Sequence, residues 1–161
     1  MTEMRVGHGF DAHRFSSDGA RPLVLGGVHV PDHAGLVGHS DGDAVAHACA
    51  DALLAAAGLG DLGSFFPDTD ARWEGADSIE LLRTVVAAVR AEGWEPTNVD
   101  STVVAESPKI APRRAEMQAV LADAVGAPVT VKGKRAEDMG ALGRREGLVC
   151  MAVALVARDR P

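Results

Sequence analysis

Gly38-His39-Ser40-Asp41-Gly42-Asp43-Ala44-Val45-Ala46-His47 packs two histidines, two aspartates and a serine into ten residues, then runs into an alanine-rich segment, Ala48 to Gly58. That segment reads as a helix. Ser40 and Asp43 fit the S-x-x-D capping pattern, so the helix is predicted to begin near Ser40. Backbone N–H groups at such a start, reinforced by the helix dipole, favour an anion such as a phosphate. His47 falls about two turns further in. Its small neighbours let another element come close. Whatever completes His47 must lie upstream, and Asp11-Ala12-His13 is the candidate.

The rest of the chain sets bounds. Its 161 residues suit a single domain spanning 1–161, with an ordered core over about 4–158. Hydrophobic residues make up 47% and charged residues 24%, an ordinary globular composition. A net charge of −7 argues against a surface that coats nucleic acid. It leaves room for local basic groups that hold an anionic ligand. Cys49 and Cys150 sit in apolar runs and read as buried, reduced thiols. There is no N-terminal apolar stretch of the kind that directs export and no long apolar span, so no membrane association is expected and the default compartment is the cytoplasm.

Working outward, Met4 to Phe10 reads as a strand with Val6, His8 and Phe10 on one face and Arg5, Gly7 and Gly9 on the other. If the extended conformation continues, Asp11 and His13 share a face. On its own, D-x-H suits a solvated strand end as well as a ligand pair. Leu23-Val24-Leu25, Gly26-Gly27 and Val28-His29-Val30 read as a tight hairpin ended by Pro31. His29 reads as a sheet-face residue and His33 as exposed. Asp51, one turn after His47, could orient its imidazole or face solvent.

Residues 59–70 read as a long loop with three aspartates, Asp61, Asp68 and Asp70, anchored by Phe65 and Phe66. Asp77 to Glu80 has a cap form and opens a helix whose stripe of Leu81, Leu82, Val85, Val86 and Val89 is core. Gly93 closes that helix. Asn98 to Glu106 is a strand, Arg113 to Val125 a helix stopped by Gly126, and Val129 to Lys132 a short strand. Lys134 to Gly140 is a charged turn, and Leu148 to Val156 an apolar run suited to a central strand buried on both faces. This order implies an α/β (α+β) domain: one layer of mixed sheet, helices on one face, and the other face left for a covering partner such as a second copy of the chain.

If Asp11, His13 and His47 meet, they form a three-ligand Zn²⁺ site with an open fourth position, the arrangement of catalytic rather than structural zinc. The N–H groups at Ser40 and the His39 imidazole would then converge with a metal on a spot suited to phosphate. Asp61, Asp68, Asp70 and Glu137 could serve a second hard cation. The residues alone point to metal-dependent chemistry on a phosphorylated compound.

Several motifs together are more specific. Gly7-His8-Gly9-Phe10-Asp11-Ala12-His13, His39-Ser40-Asp41-Gly42-Asp43 with His47, Asp61-Leu62-Gly63 and Phe66-Pro67-Asp68-Thr69-Asp70 resemble the 2-C-methyl-D-erythritol 2,4-cyclodiphosphate synthases. So do Ala105-Glu106-Ser107-Pro108-Lys109 and Gly143-Arg144 with Glu146-Gly147, and the likeness runs from Met4 to about Ala157. It implies a lyase of the non-mevalonate isoprenoid pathway that closes a cytidine-diphosphate-linked methylerythritol 2-phosphate into a cyclic diphosphate and releases CMP. Zinc would be held by Asp11, His13 and His47, and Mg²⁺ or Mn²⁺ by Glu137. His39 would stabilise the transition state and, with Ser40, contact the diphosphate. Asp11, Ala12 and His13 would also contact the substrate, while Asp61, Leu62 and Gly63 and the run Phe66, Pro67, Asp68, Thr69 and Asp70 would line the methylerythritol and ribose pocket. Ala105, Pro108, Lys109, Ile110 and Ala111 would hold cytosine, with Lys134, Arg135, Ala136 and Arg144 near the phosphates. The family implies a homotrimer with active sites between subunits.

The chain departs from the family in three places. A usual run of threonines before the glutamate is Lys134-Arg135-Ala136, which puts Arg135 where a threonine would steady the transition state. A usual phenylalanine is Ala141, and the segment between Pro112 and Val129 is about three residues short. Arginine can neutralise phosphate charge in a bidentate way, but is bulkier. The rival readings are a zinc phosphoesterase using water on the same scaffold and a non-catalytic trimeric scaffold.

Overall fold

The computed structural model describes residues 1–159. Six strands and five helices follow in chain order among them: β1 (Thr2–Arg14), β2 (Pro22–Leu25), β3 (Val28–Ala34), α1 (Ala44–Ala57), α2 (Leu62–Phe65), α3 (Ser78–Ala91), β4 (Glu95–Val104), α4 (Arg114–Val125), β5 (Val129–Lys134), α5 (Gly140–Gly143) and β6 (Gly147–Asp159). The main sheet has the order β1-β6-β4-β5, antiparallel except for the β4–β5 pair. The hairpin β2–β3 forms a separate two-stranded sheet rather than joining one layer as expected. Its Gly26-Gly27 turn lies against Met117, Val120 and Ile79, which ties it to the helices.

The contact that sets the architecture lies between β1 and α1. A Cβ on Gly7 would fall 2.0 Å from the Ala52 carbonyl oxygen, and one on Gly9 would fall 2.0 Å from that of Ala48. Glycine at alternate strand positions therefore meets alanine four residues apart on the helix, and the two backbones touch. The same strand face carries Asp11 and His13 beyond Gly9. The first turn of α1 carries His47 alongside them.

The core lies between the sheet and its helices. Leu53, Leu54, Leu82, Val85 and Val89 from α1 and α3 meet Val99, Val103, Cys150, Ala152, Ala154 and Val156 from the sheet, all buried. The stripe predicted for α3 is buried as expected, and Asp77 caps that helix by accepting from the Ile79 N–H at 2.8 Å. Gly126 ends α4 in the left-handed region at φ 73°. Cys49 and Cys150 are free and buried, and burial pushes the Cys49 thiol up to about 12.

Three expectations change. Strand β6 is central, but within one chain its Met151 and Val153 remain 37% and 44% exposed, because helices cover only the opposite face. The stretch expected to be a long loop is partly helical, forming α2 and a short turn at Ala71–Trp73. Helix α1 begins at Ala44, capped by Asp43 rather than near Ser40. No helix among the described residues is long and apolar enough to cross a membrane.

Candidate metal centre and ligand cavities

The centre is assembled where β1 meets the start of α1. Asp11 Oδ1 accepts from the Ala12 N–H at 2.9 Å, which fixes the carboxylate and turns Oδ2 inward. Oδ2 lies 2.9 Å from His13 Nε2 and 2.9 Å from His47 Nδ1. The three ligand atoms fall within 4.8 Å of one another, the only such grouping of three or more His, Cys, Asp or Glu ligands among the described residues.

The far nitrogen of each imidazole decides what the near one offers. His13 Nδ1 donates to the Val37 carbonyl at 2.6 Å, so its Nε2 carries the lone pair. His47 Nε2 lies 2.8 Å from Ser78 Oγ, and that hydroxyl spends its own proton on Asp41 Oδ1. Ser78 Oγ is thus placed to accept from His47 Nε2–H, the tautomer that would present the Nδ1 lone pair to a metal. Two imidazoles and one carboxylate thus aim at a common point, a donor set that, with the rings deprotonated, fits a divalent metal with an open position. Without a metal those same nitrogens carry protons toward Asp11: burial alone would raise its carboxyl, but hydrogen bonds from His13 and His47 hold it down at about 2. Burial likewise works against a charged His13, yet the hydrogen bond and charge of Asp11 raise its pKa above the ordinary 6.5.

Asp51 does not orient His47. Its carboxylate accepts from the Leu62 N–H at 3.1 Å, and Ser78 takes the orienting role. Nor is the end of α1 an open anion cradle. The buried Asp43 carboxylate accepts from the N–H groups of Val45, Ala46, Gly26 and Gly27 at 2.6 to 3.1 Å, so the protein's own anion fills that position. His33, read as exposed, is half-buried and within 3.1 Å of Ser107 Oγ.

Two cavities receive most of the other residues singled out from sequence. The first, about 120 Å³, touches the metal cluster through His47 and is lined also by His39, Ser40, Leu62, Gly63, Phe66 and Asp68, with Trp73 and Leu81. His39 Nε2 donates to the Asp70 carbonyl at 3.2 Å, so Nδ1 carries the lone pair of the neutral ring. Asp61 caps α2 through the Ser64 N–H at 2.7 Å, and Asp70 pairs with Arg72 at 2.6 Å. Pro67 and Thr69 are exposed beside the cavity lining, and Ala12 is exposed between the two β1 ligands. Trp73, absent from the sequence reading, stands edge-on to Phe66 at 4.9 Å.

The second cavity, about 360 Å³, is lined by Ala105, Pro108, Lys109, Ile110, Ala111, Lys134 and Arg135, together with Glu106, Arg114, Gly133 and Arg145. Five cations surround it. Glu106 Oε2 accepts from Arg135 Nη2 at 2.7 Å and Nε at 3.0 Å, while Oε1 accepts from the Asp138 N–H at 3.1 Å. Arg135 thus bonds to a protein carboxylate, and its hydrogen bond holds Glu106 below the usual carboxylate range. Ala136 is buried, Arg144 pairs with Glu146 at 2.7 Å, and Glu137 is exposed on the following turn, outside the three-ligand cluster.

Residues 4–157 match the YgbB family. The 2-C-methyl-D-erythritol 2,4-cyclodiphosphate synthase of Chromobacterium violaceum is 53% identical over 158 residues, 96% of this chain and 98% of that protein. The bifunctional IspDF of Campylobacter jejuni superposes with a TM-score of 0.93 at 39% identity, covering 99% of this chain, which spans 43% of that longer one. The IspF of Plasmodium falciparum, solved as a CDP complex, superposes at 0.84 with 29% identity, covering 98% of this chain and 97% of that one.

Proposed function

This chain belongs to the YgbB family of cyclodiphosphate synthases, and we propose from that premise how its residues carry out the reaction. It is a lyase that converts 4-diphosphocytidyl-2-C-methyl-D-erythritol 2-phosphate into 2-C-methyl-D-erythritol 2,4-cyclodiphosphate with release of CMP, a step in isoprenoid precursor synthesis. The observation that carries this reading is the convergence of Asp11, His13 and His47 beside a cavity lined by His39 and Ser40.

An oxygen of the substrate's 2-phosphate attacks the β-phosphorus. The new P–O bond closes the ring as the bond to the bridging oxygen breaks, and CMP leaves with that electron pair. Such a transfer needs positioning and charge neutralisation more than covalent help. Zinc is the metal we assign to Asp11, His13 and His47, where it supplies Lewis-acid polarisation of a phosphate oxygen. We assign Mg²⁺ or Mn²⁺ to Glu137, where it would neutralise charge on the diphosphate. His39 and Ser40 orient the phosphates. Asp61, Leu62, Gly63 and the run Phe66 to Asp70 enclose the methylerythritol and ribose.

Backbone groups of Ala105 and Pro108 to Ala111 take the cytosine, and the cations Lys109, Lys134, Arg135 and Arg144 offset phosphate charge. The CDP held by the Plasmodium falciparum relative supports a nucleotide in this role. The chain acts as a cytoplasmic homotrimer with active sites between subunits. The uncovered apolar face of the main sheet supports that assembly.

The test is incubation of the purified protein with the cytidylylated substrate, zinc and magnesium, followed by phosphorus NMR. A cyclic diphosphate with stoichiometric CMP is expected. Inorganic phosphate or unchanged substrate rejects the assignment.

A further inference from the structure

Arg21 lies outside every motif singled out above, yet it governs the segment on which the centre depends. Its Nη1 donates to the carbonyls of Leu36 at 3.1 Å and Gly38 at 2.6 Å, and its Nη2 donates to the carbonyl of Ser40. The carbonyls of alternate residues thus converge on one guanidinium. The intervening Val37 carbonyl goes instead to His13 Nδ1 at 2.6 Å. Converging carbonyl dipoles repel one another unless a cation or several donors sit between them, and a planar guanidinium supplies both at fixed angles.

The main chain of Arg21 is itself pinned. Its carbonyl accepts from the Gly35 N–H at 3.0 Å, in an approach so close that a Cβ on Gly35 would lie 2.5 Å from that oxygen. The guanidinium therefore starts from a fixed point. What it fixes is the path of residues 36–40, which carry the acceptor that sets the His13 tautomer, the His39 ring, and Ser40 Oγ at 3.0 Å from His47 Nε2. No carboxylate among the described residues is bonded to this guanidinium, so its hydrogen bonds are spent on the backbone of that segment.

We infer that Arg21 is a positioning residue for the cyclisation, acting through the backbone of residues 36–40 to set His39, Ser40 and the metal-facing nitrogen of His13. The inference rests on the reaction proposed above. Arg21 does not line the cavity assigned to cytosine, so its loss should spare nucleotide binding.

The experiment compares Arg21→Ala and Arg21→Lys with the wild-type chain in turnover, zinc affinity by chelator competition, and thermal midpoint. Displacement of reacting groups by about 1 Å can cost on the order of 100-fold, and that drop in kcat is expected for Arg21→Ala, with KM for the cytidylylated substrate nearly unchanged. Loss of an orienting partner weakens metal binding by about tenfold, and a loss of that size is expected here. Millimolar guanidinium, well below denaturing levels, should restore much of the lost kcat in Arg21→Ala and none in the wild type. Arg21→Lys folds but stays impaired, because an ammonium cannot span three carbonyls, and it carries the test should the alanine variant not fold. Wild-type kcat and zinc affinity in a folded variant overturn the inference. So does an Arg21→Ala defect that guanidinium leaves no better than matched sodium chloride does. A wild-type chain that releases no CMP overturns the assigned reaction instead, while zinc affinity still decides for or against Arg21.

Discussion

Ser78 Oγ stands 2.8 Å from His47 Nε2 and donates its own hydrogen bond to Asp41, so a serine at the start of α3 favours the tautomer in which His47 Nδ1 offers its lone pair to the metal position. Ser78→Ala removes that instruction while leaving the ligand set intact. Loss of such a partner typically costs 10- to 100-fold in metal affinity. The folded state loses only about 1 kcal/mol for the hydrogen bond. Chelator competition should show zinc binding at least about tenfold weaker, with a thermal midpoint close to that of the parent. Unchanged zinc affinity would refute the tautomer argument.

Metal uptake should release a proton near neutrality. In the metal-free centre Asp11 raises the His13 pKa above its ordinary 6.5, whereas the Asp11 carboxyl stays ionised down to about 2. Zinc requires neutral imidazoles. Its apparent affinity should therefore fall as the pH drops through the raised His13 value, with Asp11 adding no competing proton above its own. Calorimetry in buffers of different ionisation enthalpy measures the proton count directly.

Stability of the metal-free protein follows the opposite sign for His13. Its contribution is full below 6.5 and fades as the pH rises through the raised value. The Asp11 contribution is full above 3.8 and is lost as the pH falls through about 2.

Gly9→Ala should damage the fold rather than the chemistry alone. The added Cβ would lie 2.0 Å from the Ala48 carbonyl oxygen, a backbone atom that cannot swing aside. Overpacking of this kind costs about 3 kcal/mol when the helix must shift. The thermal midpoint should drop by several degrees, and zinc affinity with it, because the displaced helix carries His47. A Gly9→Ala chain as stable as the parent would show that α1 and β1 are not held in backbone contact.

How much of this was legible beforehand follows from which interactions are local. The alternation Gly7, Gly9, Asp11, His13 needs only a strand that continues, so the shared face of two ligands could be read from spacing. The apolar stripe of α3 and its Asp77 cap were equally local. Asp43 was harder. The S-x-x-D pattern puts the cap at Ser40, but Asp43 takes it, because Gly26 and Gly27, on a distant hairpin, add two more donors to its carboxylate. Ser78, Trp73 and Arg21 escaped for the same reason. Each acts across tertiary contacts, with Ser78 31 residues from His47 in sequence. No periodicity marks such a partner.

Arg135→Ala should weaken turnover more than zinc binding. The side chain lines the cation-rich second cavity and is tied to Glu106 at 2.7 Å, in a different part of the chain from the three metal ligands. Removing it deletes one cation from that cavity and leaves Glu106 held by the Asp138 N–H alone. A loss of about 10-fold in kcat/KM is expected, on the scale of one charge-assisted hydrogen bond. Metal analysis alongside CMP release separates the effects, and equal loss of both would sink the assignment.

Phe10 is 54% exposed on the helix-free face of the main sheet, directly opposite Met151, with Val6 at 68% and Val153 at 44% on the same surface. An apolar sheet face of this kind calls for a covering partner, and a second copy of the chain is the occupant we assign. Phe10→Glu sets a carboxylate in that interface, where burial of an unpaired charge is prohibitive. Multi-angle light scattering should find a trimer for the parent and a monomer for the variant. Asp11, His13 and His47 all belong to one chain, so zinc binding should survive in the monomer. Turnover should collapse, because the proposed active sites lie between subunits. A Phe10→Glu monomer with full turnover would place the whole active site within one chain and remove assembly from the mechanism.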